Sequence, residues 1–203
     1  MLQECDEVEI KSIMKSFDTK KASCPNSIDN YILTMLMEEI SLPLAKIFNI
    51  SFSTGVHPDL FKISKTTTIF KKGSRLQVCN YHYQPISLLS NLNKSLEKLM
   101  FSRIHSFLEN YKCIYSLQFG FRAKHSTNHA LIDITEKIRN ALDNKNHVCG
   151  VFVDLQKAFD TVNHNILLSK LNYYVVRGTA NDWFSSYLSN RSQYVSIMGF
   201  DSS

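Results

Sequence analysis

The run VCGVFVD, Val148 to Asp154, limits more than any other feature what this chain can fold into. Six almost uninterrupted apolar residues, with DNKNH before them and an acid after, read as a short central strand covered on both faces. Such a strand needs sheet neighbours and helices packed over it, which argues against a simple helical bundle. A carboxylate at its end is costly to desolvate unless a cation or hydrogen-bond donors meet it. Asp154 is therefore expected to have partners, and Asp160 raises the same question in the segment that follows.

The surrounding pattern supplies helices and a few further strands. Val8, Ile10, Ile13, Met14 and Phe17 fall near helical spacing and predict a short amphipathic helix over 7–17, which KKASCPNSIDN breaks. Apolar residues from Ile32 to Phe48 recur at three and four, so a long helix is expected over 31–52, kinked or interrupted at Pro43 and closed by Gly55 to Pro58. KTTTIF, Lys65 to Phe70, reads as a strand running into the turn KKGSR. Helices follow over 92–108 and 129–142, the second with Ser126 or Thr127 available as its N-cap. Beyond Asp154 the pattern gives helices near 163–173 and 180–188 and a strand at QYVSI. Interleaved helices and strands of this kind define an α/β or α+β fold, helix-rich with a few strands.

The chain has 203 residues and 44% hydrophobic content, enough to bury a core as one large domain or two small ones. Charge divides it unevenly. Residues 1–61 hold five Lys/Arg against nine Asp/Glu, residues 62–125 hold eleven against two, and the remainder is balanced at seven each. A +9 middle segment is the footprint of a polyanion partner or a solvated basic face, and charge alone leaves both open. The five cysteines are widely spaced with no Cys-x-x-Cys pair, which argues against a disulfide framework or zinc knuckle and fits a reducing, intracellular setting. The acidic start and the lack of any run of about 18 apolar residues imply neither export nor a membrane span. His125 and His129 are one helical turn apart, yet no third ligand stands at a suitable spacing, so they are read as structural or surface residues. Trp183 and Phe184 are read as core.

Five segments in order carry a resemblance: FKKG at 70–73, NYHYQPISLLSNLNKSLEKLM at 80–100, QFGFRAKHSTNHAL at 118–131, VFVDLQKAFDTVNHNILLSKL at 151–171 and WFSSYLSNRSQYV at 183–195. Together they resemble the reverse transcriptases of non-LTR, jockey-like retrotransposons. The resemblance implies a partial right-hand polymerase: a helical amino-terminal region over 1–61, a basic fingers-like region over 62–147 and the first part of a palm over 148–203. It also implies RNA-directed DNA synthesis with an RNA template, a DNA primer and deoxynucleoside triphosphates.

Nucleotidyl transfer of this kind uses two divalent ions, Mg²⁺ or Mn²⁺, held by carboxylates because hard cations prefer oxygen. By the resemblance, Asp154 is a catalytic metal ligand, and Phe159 packs against the sugar and rejects a 2′-hydroxyl by filling the space it would need. Lys71 and Lys72 sit where the family places a basic residue near the triphosphate, and Arg122 in GFR would contact template or nucleotide phosphate bidentately. Read as bare residues, Asp154 is equally a strand end, Phe159 a core ring, Lys71 and Lys72 a solvated turn, and Arg122 half of a salt bridge. Asp160 stays open between a site residue and an N-cap.

The chain also departs from the family pattern. NYHYQPIS carries two extra residues and places Gln84 where an Arg would meet phosphate; SIDN replaces a Gly-x-Asp turn; and Val175 stands where a Gly follows the Tyr in YYVVRG. There is no Asp-Asp pair, and Ser203 comes before the expected acidic hairpin and thumb. The expectation is therefore a fragment that does not polymerise by itself. The alternative is a non-catalytic nucleic-acid-binding remnant.

Overall fold

Asp6 opens the first helix because its carboxylate accepts the Glu9 amide at 2.8 Å, satisfying a donor that a helix start leaves without an internal partner. Helix α1 (Glu7–Lys15) follows, with Glu7 and Glu9 in its first turn and Lys15 in its last, the order its dipole favours. The computed structural model describes residues 2–18, 28–70, 83–197 and 200–202.

The chain forms two compact units, Met1–Phe107 with His164–Ser203, and Leu108–Asn163. In the first unit α1 is followed by α2 (Asn30–Met35) and α3 (Met37–Thr54). A 3₁₀ turn at Asp59–Lys62 leads into β1 (Ile63–Phe70), then β2 (Tyr83–Leu88) and the greater part of α4 (Asn91–Asn110). Helices α6 (His164–Tyr173) and α7 (Thr179–Leu188) and strands β3 (Ser192–Ile197) and β4 (Phe200–Asp201) complete it. The sheet order is β2-β1-β3-β4. Strand β1 runs antiparallel to β2 and parallel to β3, with Ile63 opposite Ser192, and β3 turns back antiparallel to β4. This is a helix-rich chain with a small mixed sheet, the α+β class.

The core of this unit comes from four helices: Ile10 and Met14 of α1, Phe48 and Phe52 of α3, Leu96 and Leu99 of α4, and Trp183 of α7. Trp183 is 1% exposed and its indole N–H donates to Ser51 Oγ at 2.9 Å, the partner a buried indole requires. The break expected at Pro43 falls instead at Leu36, whose φ of −94° and ψ of 11° separate α2 from α3. Pro43 is the seventh residue of α3 and forfeits one intrahelical bond, while Ser41, Leu44 and Ala45 on either side are buried and hold the helix on course. Helix α3 ends at Gly55, φ +70°, where a Cβ would stand 3.0 Å from the Thr179 carbonyl oxygen; the close approach and the left-handed backbone both require glycine.

The second unit contains α5 (Thr127–Asp143), started by Ser126, whose side chain accepts the His129 amide. No residue from 108 to 163 is buried. The expected central strand at Val148 to Val153 is absent: residues 146–155 form no regular structure, and Val151, Phe152 and Val153 are 83%, 90% and 81% exposed. The physical reason is pairing. No described strand lies alongside this segment, and an unpaired strand cannot satisfy its own backbone. Among the described residues no helix is long and apolar enough to cross a membrane.

Candidate nucleotide and nucleic-acid site

Arg122 is set by the segment leading to it, where Phe121 takes φ +57°. Its guanidinium grips Glu109 bidentately, Nε to Oε1 at 2.9 Å and Nη2 to Oε2 at 3.1 Å, and Nη1 donates to the Tyr115 carbonyl at 3.3 Å. The Glu109 carboxylate raises the guanidinium pKa further, so Arg122 is a permanent cation. Three of its five N–H donors are thereby engaged, leaving two that could meet a phosphate. The salt bridge that the bare residue suggested is the arrangement observed.

Phe159 stands at the other end of the same unit's sequence. Lys157, φ +52°, turns the chain so that its carbonyl accepts the Asp160 amide at 2.9 Å and the Thr161 amide at 3.2 Å. The turn holds the Phe159 ring, 80% exposed, edge-on to Phe121, with centroids 6.0 Å apart at 89°. The GFR and AFD segments thus meet through these rings. Asp160 lies inside the turn, and α6 begins only at His164, so it does not directly precede that helix.

Asp154 is exposed, and among the described residues no hydrogen bond or ion pair reaches its carboxylate. Among the described residues neither a local amide nor a cation binds it. Lys71 and Lys72 lie outside the described residues. His125 Nδ1 pairs with the Ala123 carbonyl at 2.9 Å, and the His125 and His129 rings sit 6.4 Å apart. No group of three His, Cys, Asp or Glu that could hold a metal ion occurs among the described residues.

The first unit contains a polar cluster that periodicity did not reveal. His57 is fully buried; its Nε2 lies 3.1 Å from Asn93 Oδ1, and Asn93 Nδ2 donates to Glu97 Oε1 at 3.3 Å. Because the Asn93 amide oxygen faces the ring, Nε2 carries the proton, and Nδ1 is left buried without a partner. Tyr187 also donates to Glu97 Oε1, at 2.8 Å. Burial pushes the His57 pKa down to about 4, and burial together with the Glu97 charge pushes the Tyr187 phenol up to about 12. Asn91, Asn93 and Ser95 of α4 are also buried, and only their insertion among the apolar positions of that helix could have signalled this.

Residues 69–200 match the family described as reverse transcriptase (RNA-dependent DNA polymerase). The chain is 32% identical over 202 residues to the RNA-directed DNA polymerase from mobile element jockey of Drosophila melanogaster, covering 96% of this chain and 21% of that protein. It is 33% identical over 195 residues to the probable RNA-directed DNA polymerase from transposon BS of the same species, covering 93% of this chain and 21% of that protein. The corresponding protein of transposon X-element is 31% identical over 156 residues, 77% of this chain and 17% of its own length. The chain therefore spans about a fifth of the length of these curated relatives. It belongs to the reverse transcriptase family, in the non-LTR, jockey-like group whose segments it resembles.

Proposed function

We propose that this chain is a segment of an RNA-directed DNA polymerase of a mobile element, comprising fingers and the first part of the palm. The observation that carries the reading is the family match over residues 69–200, which includes Asp154, Phe159, Arg122, Lys71 and Lys72. In this reading Asp154 supplies one hard oxygen ligand for Mg²⁺ or Mn²⁺, Phe159 screens the sugar, and the two lysines and Arg122 meet phosphate.

The donor set of this chain does not suffice for the ion pair. Two-ion transfer needs several carboxylates to fix the separation of the ions and offset their charge, whereas no group of three His, Cys, Asp or Glu that could hold a metal ion occurs among the described residues. The segment by itself is therefore proposed to bind polynucleotide without extending it, and this favours the second reading, a non-catalytic nucleic-acid-binding remnant, for the isolated chain.

The test is RNA affinity measured across salt concentrations, with Lys71, Lys72 and Arg122 each changed to Ala. Each lost phosphate contact should lower the salt slope by about one. An affinity that ignores salt, or Mg²⁺-dependent primer extension that is lost in Asp154→Asn, would overturn the binding-only reading.

A further inference from the structure

Where the end of α1, the start of α2 and the first half of α4 come together, the first unit holds a cavity of about 520 Å³. Its walls are unusual in what they leave unmet. Asn30, 6% exposed, donates its Nδ2 to the Asp18 carbonyl, while its Oδ1 is buried with no donor. Leaving such an acceptor empty is costly, so it asks for an N–H or O–H from an occupant.

Two ammonium groups line the same cavity and are held by neutral partners. Lys94 Nζ donates to Asn91 Oδ1 at 3.2 Å; Lys98 Nζ donates to Ser16 Oγ at 2.8 Å and lies 4.5 Å from the centre of the Phe17 ring. Among the described residues neither meets a carboxylate within ion-pair distance. Loss of water contact lowers the Lys98 pKa with no counter-charge to restore it. Lys94 is also the fourth residue of α4, whose first turn has no acid, so a cation stands at the positive end of the helix dipole. An anion there would give both ammonium groups a counter-charge. Two carboxylates line the cavity as well, Asp18 and Glu97; Glu97 Oε1 is taken by Tyr187 and Asn93, and an anion has to keep to the Lys94 and Lys98 side. On the rim Phe101 offers an exposed aromatic ring.

A nucleotide joins an anionic oxygen, a flat ring and N–H donors at this size. We propose that the cavity binds a nucleoside 5′-phosphate, its phosphate on Lys94 and Lys98, its base against Phe101 with an N–H toward Asn30 Oδ1. The ligand is either a free nucleotide or one residue of a single strand. The inference stands apart from the polymerase reading, since it uses none of the residues on which that reading depends.

The experiment titrates the full chain with adenosine 5′-monophosphate, adenosine and a short single-stranded oligoadenylate, following the Asn30 side-chain amide by NMR. AMP should move that amide and bind at least about tenfold more tightly than adenosine. Lys94→Gln with Lys98→Gln should weaken AMP about tenfold while the thermal midpoint holds, and Lys46→Gln on α3 should change nothing. Oligoadenylate binding with the same lysine dependence identifies a strand as the source; AMP binding alone identifies the free nucleotide. Equal binding of AMP and adenosine, no shift at Asn30, or an unaffected double variant overturns the proposal. AMP binding that is unchanged in the double variant overturns this site alone, while RNA binding that is lost with Arg122→Ala leaves the polymerase reading standing whichever way AMP behaves.

Discussion

The His57 amide donates to Ser186 Oγ at 3.0 Å across 129 positions, and the same offset relates Ile63 to Ser192 where β1 and β3 pair. One register therefore runs from the turn after α3 into the parallel strand pair. It is anchored by Trp183 and Tyr187, stacked at 5.4 Å and 8°, with the His57 ring edge-on to both at 5.2 and 5.1 Å. Strand β1, which leads toward Lys71 and Lys72, is rooted in this buried cluster.

Acid should loosen that root. The folded His57 pKa of about 4 lies below its ordinary 6.5, because burial disfavours the charged ring and Arg191 and Lys62 repel it. Above pH 6.5 the ring is neutral in both states and its contribution is complete; between 6.5 and 4 only the unfolded chain takes up the proton, so stability falls with pH. The loss should be on the order of 2 kcal/mol, allowing for solvent screening. Urea midpoints from pH 7.5 to 4, read from the single Trp183, should fall more steeply for the wild type than for His57→Gln. Parallel slopes would reject the mechanism.

Val175→Gly should stabilise the protein. Val175 closes α6 with φ +67°, its N–H on the Asn172 carbonyl at 3.1 Å and the Val176 N–H on Leu171 at 2.9 Å. A left-handed residue at a helix end suits glycine and strains a β-branched side chain, and the Val175 side chain is 60% exposed and recovers little by burial. The gain should be about 1 kcal/mol, raising the melting midpoint by roughly 2–4 °C. An unchanged or lower midpoint would count against it.

Gly55→Ala should do the reverse. The new Cβ would meet the Thr179 carbonyl oxygen at 3.0 Å and Asp182 Cβ at 3.1 Å on a backbone at φ +70°. A loss of about 2 kcal/mol or more is expected in denaturant unfolding. A wild-type midpoint would show that α3 and α7 separate easily at this point.

Glu109→Gln should strengthen RNA binding if Arg122 meets phosphate, because the bidentate carboxylate competes for the same guanidinium. Affinity should rise and the salt slope should steepen by about one. An unchanged slope would assign Arg122 to the salt bridge alone.

The helices were legible wherever apolar residues kept a period of three and four: α4, α5, α6 and α7 lie within a few residues of their expected spans. Strand β2 was not, since Pro85 reads as a loop signal; it pairs opposite Thr68 on an edge strand, the place in a sheet where proline is tolerated. VCGVFV was legible as strand material, but a strand is defined by its neighbours, and composition cannot supply them. For the proposed site, the ordered motifs nominate Asp154, Phe159 and Arg122. The Arg122 to Glu109 pair and the Phe121 to Phe159 contact depend on left-handed turns at Phe121 and Lys157, which no side-chain pattern announces. Asn30, His57 and Asn93 were hidden because buried polar groups look like solvent-facing ones until their partners are placed.

The larger unit is drawn from both ends of the chain, residues 1–107 and 164–203, with the coreless stretch 108–163 between them. A nick beyond α4 and before α6 would sever the polypeptide while sparing the contacts that unite its halves, the β1–β3 pairing and the Trp183 indole against Ser51. The larger unit is thus closed by contacts between two stretches remote in sequence, and the lone indole lies on their seam.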